Sequence, residues 1–213
     1  MVDTWLISHI QAYAQTFNHN DLRFRHVASH NEFIKLYVNG LRSMNPEEWN
    51  TIKPTLDQAQ QLVQPYNRLC SIPFKILVLK SEVCYLENDM PHTHADTIIL
   101  PASTINRISV NTLLHELLHV FQRFYPTDCH RYYATVLGYK LVGLIDHSKA
   151  RSNPDINNLQ YEGFNNSYAS DALSIHDIID KKDHPNEVFA YEVSTLIEHN
   201  KLSNSLISLL HGK

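Results

Sequence analysis

Residues 105–124 constrain this chain more than any other stretch. Ile105, Ile108, Leu113, Leu114, Leu117, Leu118, Phe121 and Phe124 recur at threes and fours, the spacing of one apolar face of a helix. Ser103 or Thr104 stands where it can cap the start, and Pro126 where it closes the end. Three polar residues interrupt the apolar run, in the order His115-Glu116-Leu117-Leu118-His119. On a helix, residues four apart lie one above the other, so the two imidazoles share a face and the Glu projects beside them. Two such rings can grip one metal ion. Zinc suits the pair because it accepts imidazole nitrogen and leaves a tetrahedral position open for water. A neighbouring Glu then takes a proton from that water as it attacks a polarised carbonyl. The pattern implies metal-assisted hydrolysis.

The chain carries 14 His, and random placement would put the bare pentapeptide in roughly one sequence in twenty-five of this composition. The surroundings therefore decide its meaning. Polar groups without partners are costly among bulky apolar neighbours, and a bound metal supplies a partner for all three.

Bulk properties exclude several classes. The 213 residues are 43% hydrophobic, enough for a sizeable core in one unit. Net charge is -4 with His neutral, and no Lys/Arg run offers an electrostatic footprint for nucleic acid or an anionic membrane. Cys70, Cys84 and Cys129 are odd in number and form no C-x-x-C, which fits synthesis in a reducing compartment, the cytoplasm. The opening MVDTWLISHIQAYAQTF lacks the basic and long apolar regions of a Sec signal, which leaves export by a specialised route open. No apolar stretch reaches membrane-spanning length, so no membrane insertion is expected.

Residues 1–65 read as helical, and the sequence divides into an N-terminal helical region, 1–70, and a catalytic region, 71–213. Asn45-Pro46-Glu47-Glu48 predicts a helix start, with a capping Asn, Pro at the first helical position and acids at the positive dipole end. Phe74–Leu79 and Thr97–Leu100 are short β-rich runs bounded by Pro73 and Pro101, and Cys84-Tyr85-Leu86 is a candidate third strand. Arg131–Ile145 reads as a second apolar helix. Residues 146–186 read as a long polar connection, and Glu187–His199 as helix again. The expected architecture is α+β: a small mixed sheet packed on the motif helix, with N-terminal and C-terminal helices.

Catalytic zinc normally takes three protein ligands plus water. A metzincin would place Gly and His at positions 122 and 125, where this chain has Gln122 and Tyr125. Four candidates remain. His130 and Asp128 lie in the turn after the helix, where a solvated His and a helix-capping Asp are the plainer readings. Glu187 opens a helix just after Pro185, from which a carboxylate can reach a metal held by the first helix; acids are also common in first turns for electrostatic reasons alone. Glu192, five residues further, points to a different face.

The runs HELLHVFQRFYP, ARSNPDINNLQYEG and HPNEVFAYEV, in that order, resemble a little-characterised group of bacterial zinc peptidases. That group pairs an HExFHVxSR-like helix with a downstream NPD and an HPxE-x-x-A helix, in the gluzincin arrangement. The resemblance runs from about Ile98 to Leu196, and the first 70 residues fall outside it. It implies a zincin-like fold, one Zn2+ per chain held by His115, His119 and Glu187, and Glu116 as general base. Gln122 departs from the group's small residue at that position.

Supporting roles are less constrained. Asp155 of Asn153-Pro154-Asp155 either caps a turn or accepts an N–H from a metal-binding His. Tyr161 and Tyr168 are candidate catalytic donors toward an oxyanion, or ordinary loop tyrosines. Arg123 reads as a salt-bridge partner, and His92 and His94 as solvated loop residues. The expected function is a zinc metallopeptidase acting on a peptide or protein substrate. The alternative is a zinc-binding interaction protein, or degenerate peptidase, whose cleft serves recognition.

Overall fold

A computed structural model describes residues 3–148, 150–162 and 184–212. Helix α1 (Thr4–Ala14) starts where the Asp3 side chain accepts from the backbone N–H of Leu6. Helix α2 (His19–Phe24) has a reciprocal cap between Asn18 and Asp21, and α3 (His30–Gly40) is capped by Ser29. After strand β1 (Leu41–Arg42), α4 (Pro46–Val63) begins at the Asn45 and Glu48 capping box, with Pro46 opening the helix as its sequence predicts. A short α5 (Asn67–Cys70) leads to β2 (Lys75–Leu79).

The third strand is not where the β-rich pattern put it. Ser81–Glu87 is a 3-10 helix whose buried and half-buried residues Val83 and Leu86 stand three apart, the repeat of that helix. The strand is instead β3 (His92–His94), which turns through Ala95 and Asp96 into β4 (Thr97–Pro101). The sheet order is β1-β2-β4-β3, with β2 and β4 parallel and the two outer pairings antiparallel.

The motif helix, α6, runs Val110–Phe124. It starts later than the apolar period suggests, because Ser109 supplies the cap by accepting from Thr112 N–H, while Ile105–Arg107 form a separate 3-10 turn. Pro126 ends α6 by opening α7 (Pro126–Thr135). The expected helix over 131–145 stops there. Gly138 and Gly143 take φ of +75° and +155°, which a helix excludes, and the chain forms β5 (Leu141–Leu144) paired with β6 (Leu159–Tyr161). Helices α8 (Pro185–Glu198) and α9 (Asn204–His211) complete the described chain. No helix among the described residues is long and apolar enough to cross a membrane.

Alternation along the strands divides the core into two. Val78, Ile98 and Leu100 face a cluster built from α4, α6, α7, α8 and α9, including Leu114, Leu118, Phe121, Phe189 and Val193. Leu77, Leu79 and Ile99 face the other way, onto Leu6, Ile10, Phe33 and Tyr37 of α1 and α3. Residues 1–70 thus supply α1–α3 to one side of the sheet and α4 to the other. The sheet is sandwiched between helical layers, with α6 packed along β3, β4 and α8.

Candidate metal centre

Helix α6 presents His115 and His119 from adjacent turns, and their Nε2 atoms approach to 3.0 Å. Helix α8 brings Glu187 from the opposite side, its Oε2 lying 3.5 Å from both nitrogens. Ligands about 2.0–2.2 Å from a tetrahedral zinc lie roughly 3.3–3.6 Å from one another. The three donor atoms fall within 4.8 Å of one another and are the group of three or more His, Cys, Asp or Glu with metal-binding spacing among the described residues. The donor set, two imidazoles and one carboxylate, suits zinc. Helices α6 and α8 pack against each other, and Ala190 of α8 is fully buried in the core they share.

The polar partners of these side chains fix their chemistry. Gln122, one turn beyond His119, donates its amide N–H to the carbonyl of Asn186 at 2.8 Å. A carbonyl only accepts, so Gln122 must aim its Oε1 at His119, where Nδ1 lies 2.9 Å away. His119 therefore carries a proton on Nδ1 and turns Nε2 into the cluster, the nitrogen that a metal would take in place of a proton. Asn153 donates from its side-chain amide to Glu187 Oε1 at 2.9 Å, which leaves Oε2 for the histidines.

Glu116 is 4% exposed, and its Oε2 has no hydrogen-bond partner. Burial, reinforced by Asp155 and Glu187, pushes its carboxyl well above the usual range. Burial works against charge on His119, yet Glu187 and Asp155 outweigh it and carry its pKa up to about 9. Burial likewise opposes charge on Glu187, and the two histidines hold its carboxyl well below the ordinary carboxylate range. These charges leave the cluster with one carboxylate facing two imidazoles, a set that could hold a metal ion.

Several expected roles fall elsewhere. Asp155 does not hold a metal-site histidine. It accepts from the backbone N–H of Thr93 at 2.8 Å and lies 3.7 Å from Arg123, because β3 is an edge strand among the described residues and its outer N–H needs a partner. Arg123 completes that closure, donating to Thr93 O at 3.2 Å and to Pro154 O at 2.7 Å, in keeping with its expected ion-pair role. His92 and His94 are not solvated: both are buried on β3, against the Tyr37 ring. His130 bonds through Nδ1 to the Tyr161 hydroxyl at 2.6 Å, and Asp128 pairs with Arg68 at 2.8 Å, so neither joins the cluster. Glu192 also stands outside it.

Tyr161, expected as a catalytic donor, is 2% exposed on β6 with its hydroxyl turned to His130, and burial pushes that hydroxyl up to about 12. Its ring packs on His184, the residue that caps α8 ahead of Glu187. Tyr168 lies outside the described residues.

A cavity of about 540 Å3 opens beside the cluster, walled by Trp5, His9, Phe124 and Tyr133 and sharing Gln122 and Asn153 with the metal site's supports. Its lining does not include His115, His119 or Glu187. The candidate metal site and the cavity are therefore neighbours that share supporting residues. Compared with known proteins, the chain matches no family model, and no significant match is found among curated proteins or solved structures.

Proposed function

We propose that this chain is a zinc metallopeptidase of zincin-like fold and gluzincin-like arrangement, with His115, His119 and Glu187 holding one Zn2+ and Glu116 acting as general base. One observation carries the reading: donor atoms from two helices converge within 4.8 Å, next to a buried carboxylate that has an oxygen without a partner. A structural zinc site would normally be closed by four protein ligands. Three ligands and an adjacent base instead suit hydrolysis.

When bound, zinc would supply Lewis acidity toward a substrate carbonyl and lower the pKa of water. The protein's own groups do the rest. Gln122 keeps the His119 proton on Nδ1, so Nε2 stays available as a ligand. Asn153 keeps Glu187 oriented, with Oε2 inward. Glu116, buried beside His115 on the same helix, has the raised affinity for a proton that a general base needs near neutral pH. It accepts a proton from water on one side of the reaction and returns it to the leaving amine on the other.

The test is hydrolysis of an unfolded protein substrate by wild type and Glu116→Gln, each assayed with its zinc content. The expected result is one zinc in both and a hydrolysis rate lower by about 10^2–10^4 in the variant, the range for loss of a general base. Equal rates would overturn the role of Glu116, and a metal-free wild type would overturn the reading itself.

A further inference from the structure

The N-terminal helices carry a buried ionic network that is expensive to desolvate and that apolar residues of similar volume could replace in a purely structural core. Arg25 is 1% exposed; its Nη1 lies 3.1 Å from Asp21 Oδ1 and its Nη2 3.1 Å from Glu87 Oε2. The Tyr13 hydroxyl joins the same group. Further bonds of this network converge on Ser152, far along the chain. Arg25 Nη2 donates to the Ser152 carbonyl at 3.0 Å, and Asp21 Oδ1 accepts from the Ser152 backbone N–H at 3.0 Å. The Ser152 hydroxyl lies within reach of two acceptors, Thr16 O at 3.0 Å and Asp21 Oδ2 at 3.2 Å, and its one proton serves either. Both backbone groups of this residue are therefore fixed by buried charges.

The next residue is Asn153, whose amide holds Glu187. Its Oδ1 is itself engaged, accepting from the backbone N–H of Asp155 at 2.8 Å, so the side chain is set at both ends. Upstream, Asn18 donates to the carbonyls of His147 and Ala150 at 2.8 and 3.2 Å, tying the same strap to the start of α2. Hydrogen bonds from Asp21 and Arg25 to Ser152, the peptide bond from Ser152 to Asn153 and the Asn153 amide's bond to Glu187 thus form one connected path to the candidate metal site.

We propose that Asp21 and Arg25 are positioning residues for that site, acting through Ser152 and Asn153 on Glu187. The inference rests on the metal reading and gives the N-terminal helices a role in it. Each link uses a charged or fixed-geometry donor, so a shift at Ser152 is transmitted to the Asn153 amide instead of being absorbed by a flexible side chain.

The test is a double-mutant cycle on zinc affinity, using wild type, Asp21→Asn, Asn153→Ala and the double variant, titrated against a competing chelator. Asn153→Ala is expected to weaken zinc binding about tenfold, the scale for losing a ligand's hydrogen-bond partner. Asp21→Asn is expected to weaken it by a comparable or smaller factor. The double variant should bind no more weakly than Asn153→Ala alone. Equal losses from Asp21→Asn in both backgrounds, or no loss in a folded variant, would overturn the proposal. Tyr13→Phe, which keeps the ion pair but removes one donor to the Ser152 carbonyl, serves if Asp21→Asn does not fold. In metal-free protein, the Asn153 side-chain amide protons should exchange slowly in wild type and faster in Asp21→Asn. That readout separates the two ideas: a wild type without zinc, together with faster exchange in the variant, sinks the metal reading and keeps the relay, whereas unchanged exchange sinks the relay.

Discussion

Gln122 accepts the Nδ1 proton of His119 at 2.9 Å while its amide is anchored to the Asn186 carbonyl, on the residue next to Glu187. One side chain thus links the two helices that supply the donors and selects the imidazole tautomer that leaves Nε2 free. In the sequence Gln122 stands out only as a departure from the resembled pattern, yet its two hydrogen bonds tie His119 to the helix that carries Glu187.

Gln122→Leu should leave the fold intact and weaken zinc binding about 10–100-fold, because His119 loses the acceptor that fixes its tautomer. Chelator-competition titration measures this. Equal affinities in wild type and variant would show that the hydrogen bond has no influence on the ligand.

His184 caps α8 with Nδ1 accepting from the Asn186 backbone N–H, and its Nε2–H donates to the Leu159 carbonyl. Burial pushes its pKa down to about 3. The unfolded chain, with an ordinary His near 6.5, binds this proton first, so stability falls as pH drops below about 6.5 and continues to fall toward 3. Between pH 7 and 5 this group accounts for about 2 kcal/mol of loss. His184→Asn keeps a capping oxygen and does not titrate. Its denaturation midpoints should vary correspondingly less over that interval.

Ala190→Leu inserts a branched side chain where α6 and α8 pack, at a position with no exposure. Overpacking should cost about 1–3 kcal/mol. It should also move Glu187 off the histidines, so zinc affinity should fall together with thermal stability. A stable variant with full affinity would contradict the helix approach described here.

Glu116→Gln replaces a buried carboxyl that burial already disfavours as an anion. Without metal, the raised pKa means the wild type loses stability as pH rises above its unfolded value near 4.5, and the amide removes that loss. The variant should be more stable at neutral pH by about 1–3 kcal/mol, by thermal melts of chelated protein.

The legible parts of this structure are those with local signals. The motif helix, the Asn45 cap and the helix opening at Pro185 follow from periodicity and capping chemistry within a few residues of each other. The residues alone leave Glu187 beside the plainer reading of a first-turn acid, and the resemblance selects it; the structure brings it within 3.5 Å of both histidines. What stayed hidden depends on tertiary context. The exchange of Asn153 for Asp155 as the working residue of the N-P-D turn is decided by the open edge of β3, which draws Asp155 to Thr93. Strand β5 hid within an apolar run whose glycines take conformations no helix allows, and its partner β6 within the polar connection that follows. His92 and His94 read as loop residues until the sheet buried them.

The most direct test is metal analysis, with an anomalous-scattering or calorimetric titration, on wild type beside Glu187→Ala. The account predicts one zinc per chain in wild type and a large loss of affinity in the variant, since Oε2 lies 3.5 Å from both histidine nitrogens. A wild type that binds no zinc, or a variant whose affinity is unchanged, would contradict it.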